Sequence, residues 1–353
     1  MQICERYQRI SAREHLRKSA RNISGYLREI SADICERTSA QICERKELEL
    51  TSKQAAEILY VILKEIIIVL IMSQKKIILV PVDLSGNSES AIRYAAELSN
   101  APDTKIYLFH SAVLPEFYVA ELSDYNLYHK ELKSAVKKIC DASLSFLNAM
   151  KESYFAETSK VICRVIIAKN IYNGILDFAE ELMPDLIIMG DGEKSDKIKI
   201  GANTERVLRL TDLPLLIVKK SSDASKIKKV IFASDFSEDS VKVFSQVNEF
   251  LKEKNASIRL LYINTKSRFE EYETVKSRIE KFKKNFSADF SIVIRAGKNT
   301  EESIVRYASS INADLISIGI KKKKGLSLFF TDRVSESVIS LSDIPVLAVK
   351  NPG

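Results

Sequence analysis

The chain has 353 residues, 46% of them hydrophobic, with a formal net charge of +7 at pH 7. That length holds two or three domains, and that apolar share is enough for ordinary cores. Lys is interleaved with Asp and Glu along the chain and on predicted helix faces, which excludes a basic stripe for nucleic acid.

Residues 1–72 stand apart by composition. Gln2-Ile3-Cys4-Glu5-Arg6 returns as Asp33-Ile34-Cys35-Glu36-Arg37 and as Gln41-Ile42-Cys43-Glu44-Arg45, a short-period bias without a helical stripe. Two apolar runs, 58–63 and 66–72, are split by Lys64-Glu65. A membrane span needs about 20 mostly apolar residues, so neither run suffices and membrane insertion is not expected. Both lie too far from the N-terminus for a signal peptide. Met72-Ser73-Gln74-Lys75-Lys76 reads like a translation start. We therefore expect 1–72 to be a low-complexity extension, with 1–71 a mis-assigned start; a weak anchor or a partner helix is the alternative.

From residue 76 onward the pattern becomes regular. Continuous apolar runs rich in Ile and Val predict strands at 76–82, 105–111, 161–167, 185–189 and 213–218, of the kind covered by helices on both faces. Ser85-Gly86-Asn87-Ser88 supplies capping chemistry for a helix bearing Ala91, Ala95 and Leu98. An aromatic-rich loop over 113–128 leads to helices at 129–153 and 171–183, then a short one at 204–210. Residues 220–227 are a polar linker. The series then repeats, with strands near 229–234, 257–263, 290–295, 314–318 and 344–349.

The repetition extends to words. Val80-Pro81-Val82-Asp83-Leu84-Ser85 is echoed by Phe232-Ala233-Ser234-Asp235-Phe236-Ser237. The run 184–190 is echoed by 313–319, each carrying Asp-Leu-Ile, then two further residues and Gly, and 213–219 by 344–350. Three matched pairs in one order mean a tandem duplication. Strict β/α alternation with five strands per copy implies α/β architecture: two doubly wound parallel-sheet domains, 73–220 and 226–353.

Such sheets bind ligands beyond the C-terminal ends of strands where the strand order reverses. Asp83 follows strand one and Gly190 follows strand four. A carboxylate there accepts hydrogen bonds from a ribose or a base, and a Gly-bearing loop opening a helix offers backbone N–H groups to phosphate. Gly201, Ala202 and Asn203 open that helix, with Thr204 directly after.

Both copies resemble universal stress protein domains, and together they resemble a tandem universal stress protein over about 75–350. The resemblance rests on the strand-one Asp, the Asp-Leu-Ile run before Gly, and the closing Pro-Leu/Val-Leu strand. It implies a Rossmann-like fold of the adenine nucleotide alpha hydrolase-like kind, an adenine nucleotide such as ATP as cofactor, and Mg2+ only with the nucleotide. The family's ATP-binding members carry Gly, two residues, Gly, nine residues, then Gly and Ser or Thr. Here Gly190 matches the first Gly, Gly192 stands in for the middle one, and Gly201 matches the last. The loop is two residues short, and Ala202 occupies the Ser/Thr position with Asn203 next. The resemblance also implies roles for Pro81 and Asp83, and for Ser111 at a strand-two position that touches adenine. In the second copy the same positions fall on Lys322, Asp332 and Arg333, and Pro81 becomes Ala233, so nucleotide is expected in the first domain only. It further implies a pseudo-dimer in which 213–218 and 344–349 pair; a homodimer of the tandem chain is compatible with it.

Blander readings stand beside these. Asp83 and Asp235 suit helix capping, the glycines suit turns, and Lys321–Lys324 suits a solvated loop. Phe329-Phe330 suits core burial better than a partner patch. His110 and His129 lack a nucleophile or carboxylate partner at readable spacing. Five cysteines, three of them in the extension (Cys4, Cys35, Cys43), form no disulfide framework or zinc spacing, which suggests a reducing, cytoplasmic compartment. No nucleophile–base pair and no metal cluster is legible, and the His-x-Gly-His signature of nucleotidyl-transferring relatives is missing. The expectation is a non-enzymatic, stress-response module holding adenine nucleotide weakly in domain one. The alternative is a nucleotide-free scaffold acting through protein partners.

Overall fold

The computed structural model describes residues 76–350 except 85, 102, 115–127, 192–199, 220–226, 253, 268, 288–289 and 321–332. The chain divides into two units, Met1–Ser73 and Gln74–Gly353. The expectations for 1–72, for Gly192, for Lys321–Lys324, for Phe329-Phe330 and for most of the 220–227 linker lie outside the described residues.

Within the second unit, repeat one contains β1 (Lys76–Pro81), α1 (Glu89–Leu98), β2 (Thr104–Val113), α2 (Tyr128–Tyr154), β3 (Val161–Ala168), α3 (Ile171–Leu182), β4 (Leu186–Gly190), α4 (Ala202–Leu210) and β5 (Leu215–Val218). Repeat two contains β6 (Lys229–Ala233), α5 (Asp239–Leu251), β7 (Ser257–Thr265), α6 (Tyr272–Lys283), β8 (Ser291–Gly297), α7 (Thr300–Ser310), β9 (Leu315–Ile320), α8 (Arg333–Leu341) and β10 (Val346–Lys350). All ten strands join one sheet in the order β3-β2-β1-β4-β5-β10-β9-β6-β7-β8. Each half is parallel, and the halves meet where β10 runs antiparallel to β5, with Leu347 opposite Leu216. The expected second strand stops at 111, whereas β2 runs on to Val113 beside β3. His110 and Ser111 are strand residues, as expected.

Because side chains alternate across a strand, the apolar runs feed two separate cores. Val80, Leu108, Ile188 and Leu216 of repeat one share a face with Phe232, Leu260, Leu315 and Leu347 of repeat two, covered by α1, α2, α5 and α6. Leu79, Phe109, Ile187 and Ile217 share the other face with Ile231, Leu261, Ile316 and Val346, covered by α3, α4, α7 and α8. Each core runs uninterrupted across the β5–β10 seam.

Matched polar ties hold both copies in the same shape. At the N-terminal end of the sheet the Asp185 carboxylate accepts the Ile77 N–H at 2.7 Å, and Asp314 accepts the Lys229 N–H at 2.8 Å. The Asp of the repeated Asp-Leu-Ile run thus clamps strand four to strand one, at the end away from any ligand. Asn170 caps α3 by accepting the Asn173 N–H at 3.3 Å, and Asn299 caps α7 by accepting the Glu302 N–H at 3.0 Å.

Two buried lysines cross the seam in opposite directions. Lys219, just past β5, donates to the Ile339 carbonyl in the last turn of α8 at 2.8 Å. Lys350, ending β10, donates to the Arg209 carbonyl in the last turn of α4 at 2.6 Å. Each places a cation on the negative end of the other repeat's helix, where orphan carbonyls need partners. Arg209 adds an ion pair to Glu336, Nε to Oε1 at 2.9 Å.

Candidate functional site

In repeat one β1 lies between β2 and β4. The helix after β1 packs on one face and the helix after β4 on the other. This is a topological switch point, and the loops leaving it part around a crevice. A cavity of about 400 Å³ occupies that crevice, within the range of small-ligand sites.

The apolar wall comes from β1, β2, β4 and α3. Pro81, Phe109 and Met189 face Ile171 and Ile175, one turn apart on α3. Phe109 is locked by stacking on Phe178, with centroids 4.6 Å apart and planes 8° from parallel.

Polar groups converge from three elements. Asp83 is exposed at the rim. Its N–H donates to Ser88 Oγ at 2.9 Å, and the Ser88 hydroxyl donates back to Asp83 Oδ1 at 2.6 Å. Ser88, the residue before α1, makes no cap bond with its side chain. The expected capping chemistry is thus turned around, with Ser88 orienting Asp83. Leu84 follows at φ 59°, a left-handed conformation that costs a non-glycine residue about 1 kcal/mol or more.

His110 Nδ1 lies 2.7 Å from the Val82 carbonyl. A carbonyl only accepts, so this nitrogen carries the proton and the ring is committed to holding the β1–β2 ends together. Ser111 is 4% exposed, and its hydroxyl has no hydrogen-bond partner among the described residues. It sits in the cavity wall against Gly174 of α3. A buried hydroxyl left unpaired costs about 1–3 kcal/mol.

The third contribution is the start of α4. The Gly201 N–H donates to the Asp191 carbonyl at 2.8 Å, closing the base of the loop, and the first intrahelical bond runs from the Glu205 N–H to the Gly201 carbonyl at 2.9 Å. The N–H groups of Ala202, Asn203 and Thr204 therefore have no intrahelical partner, and Gly201 offers no side-chain cap. Gly201 has φ −53°, open to any residue, so glycine here leaves the backbone accessible. Thr204, beside the vacant Ser/Thr position, spends its hydroxyl on the Gly190 carbonyl at 3.0 Å. In repeat two Ser335 makes the same bond to Gly319 at 3.5 Å.

Of the residues singled out by sequence, Pro81, Asp83, Ser111, Gly190, Gly201, Ala202 and Asn203 all line this one cavity. Sequence reasoning missed Phe109, Ile171, Ile175 and Met189. Two signals point to them: Phe109 is two residues from Ser111 on one strand, and Ile171 and Ile175 have i, i+4 spacing at the start of a helix.

The sequence profile of the universal stress protein family matches residues 75–219 and 226–350. The chain belongs to the universal stress protein family. A universal stress protein of Methanocaldococcus jannaschii is 28% identical over 148 residues, 41% of this chain and 82% of that one. The crystal structure of a universal stress protein from Archaeoglobus fulgidus superposes with a TM-score of 0.57 at 21% identity, over 79% of this chain and 99% of that one. Another from Archaeoglobus fulgidus, solved in complex with dAMP, reaches a TM-score of 0.27 at 17% identity, over 35% of this chain and 98% of that one.

The second universal stress protein domain keeps the scaffold and changes the residues at its strand ends. Ile263 stands where Ser111 stands in the first, and Ala233 where Pro81 does. Asp235 is turned onto its own loop, accepting the Ser237 N–H at 3.1 Å and hydroxyl at 2.9 Å and the Ser240 hydroxyl at 3.2 Å. Tyr262 replaces His110 and donates to Glu270, which Arg278 grips with two hydrogen bonds of 2.9 and 2.6 Å. Asn264 fixes the Glu270 backbone from both sides, at 2.6 and 3.2 Å. Among the described residues of both domains, no group of three His, Cys, Asp or Glu could hold a metal ion, and no helix is long and apolar enough to cross a membrane.

Proposed function

We propose that this tandem universal stress protein is a cytoplasmic stress-response module that binds an adenine nucleotide in its first domain and uses its second as a structural partner. One observation carries the reading: the cavity at the β1–β4 switch point joins an apolar wall, an oriented carboxylate and the open N-terminus of α4. The wall of Pro81, Phe109, Ile171 and Ile175 suits a flat base. Asp83 suits ribose hydroxyls, and the N–H groups of 202–204 suit phosphate. Mg2+ would arrive only with the nucleotide. We read the role as binding rather than turnover; His110 ties the ends of β1 and β2 through Nδ1, and its Nε2 is given no role.

Titration of the full chain with an adenine nucleotide series, by calorimetry, tests this. Binding tighter than millimolar that weakens in Asp83→Ala is the expected result. A folded chain that binds no adenine nucleotide would refute it and leave the scaffold reading in its place.

A further inference from the structure

We infer that the first domain selects a nucleoside bearing a single phosphate over the triphosphate. This rests on the nucleotide reading above and specifies its ligand. The cavity's only described titratable side chains are Asp83 and His110, and neither Lys nor Arg is among its described lining residues. A triphosphate is ordinarily held by cationic side chains as well as backbone N–H groups. Here Asp83 would instead repel a polyphosphate.

Lys219, paired with Asp191 at the base of the loop, is already engaged. Lys219 is 5% exposed, and its ammonium lies 3.3 Å from Asp191 Oδ2 and 2.8 Å from the Ile339 carbonyl. Turning it toward a phosphate would strip both partners inside the seam. By sequence, the span from Asp191 to Gly201 balances Asp191, Glu193 and Asp196 against Lys194, Lys197 and Lys199, so it brings no net positive charge. What remains is the start of α4, nine residues long. It carries about half an elementary charge and three N–H groups without an intrahelical partner, which matches the oxygens of one phosphate. The unpartnered Ser111 hydroxyl, buried in the same wall, gives the base end an independent anchor, so recognition does not depend on further phosphates.

The test is calorimetry on the full chain with adenosine, AMP and Mg-ATP. AMP is expected to bind about tenfold tighter than either of the others. Ala202→Pro removes one N–H at the first helical position, where proline is well tolerated, and the preceding Gly201 already has the extended ψ of 139° that proline requires. Ala202→Asp suits a helix start but repels phosphate. Both variants should lose more affinity for AMP than for adenosine. Mg-ATP binding as tightly as AMP would overturn the single-phosphate inference while leaving adenine-nucleotide binding intact. Adenosine binding as tightly as AMP would overturn the role of α4, as would equal losses for AMP and adenosine in the variants. Failure of all three ligands would overturn both readings.

Discussion

The two domains differ most where they should differ if one binds and the other packs. Asp185 and Asp314, Asn170 and Asn299, Thr204 and Ser335, and Lys219 and Lys350 make equivalent bonds in the two copies. All of these hold the scaffold or the seam. The mouth has diverged: Ser111 against Ile263, His110 against Tyr262, and Pro81 against Ala233, while Asp83 and Asp235 each accept the hydroxyl of the serine five residues on. A duplication thus separates two kinds of polar residue. Those kept in both copies answer to the fold, and those kept in one answer to the cavity.

The packing beneath the mouth gives the sharpest way to break the comparison. A Cβ on Gly174 would lie 2.1 Å from Ser111 Oγ and 2.8 Å from the Ala168 Cβ, while one on Gly297 would lie 2.1 Å from Ser303 Oγ. The two copies exchange large for small across one contact. Gly174→Ser alone should therefore destabilise the chain by about 3 kcal/mol through overpacking, read as a lower urea midpoint. Adding Ala168→Gly, which copies the second domain, should recover part of that loss. An unchanged midpoint in the single variant would mean that the contact relaxes freely.

The seam lysines come next. Lys219→Met leaves the Ile339 carbonyl short of a donor and Asp191, with only 16% of its side chain exposed, short of a cation. The expected cost is about 2 kcal/mol. Lys350→Met should cost less, because Asp212, 4.0 Å from Lys350, has 62% of its side chain in solvent. Equal midpoint shifts would show that only the helix carbonyls matter.

Fold class and repeat number were legible because strands covered on both faces are continuous apolar runs, and such runs recur here in matched order. The rim of the site was legible for a similar reason, since Asp83, Gly190 and Gly201 mark strand and helix ends. Its apolar wall was not. Phe109, Met189 and Ile175 obey the same periodicity as any core residue, and only the sheet order shows that they end at a crevice. The Glu270–Arg278–Tyr262 cluster was also invisible, because its members lie 8 residues apart in sequence and read as ordinary surface charge and strand aromatic. The reversal at Ser88 was hidden too: Ser-Gly-Asn-Ser suits capping, and only the turn at Leu84 brings its hydroxyl onto Asp83.

For ligand binding, the comparison reduces to two aspartates at matched positions. Asp83→Ala should weaken adenine-nucleotide binding about tenfold, equivalent to 1.4 kcal/mol, whereas Asp235→Ala should leave it unchanged. Equal losses in the two variants would place a working site in both domains.

The smallest effect concerns the cluster that stands in the second mouth. The Arg278 guanidinium, followed by the Tyr262 hydroxyl, holds the Glu270 carboxyl below its ordinary value of 4.5. A carboxylate whose folded pKa is depressed adds stability that is fully present above its unfolded value and is lost as pH falls through the folded one. Arg278→Met removes the main cause of that depression. The stability gap between the parent chain and the variant should therefore be widest at neutral pH and should close as pH drops below 4.5. Other carboxylates titrate alike in both chains and cancel in the difference. About a third of each side chain is exposed, 31% for Arg278 and 33% for Glu270, so solvent screening keeps the gap under about 1 kcal/mol. Urea midpoints measured side by side across that range decide it. A gap that stays constant through acid would mean that Arg278 stabilises the loop by packing on Tyr262, 5.4 Å from its ring centre, and not by its charge on Glu270.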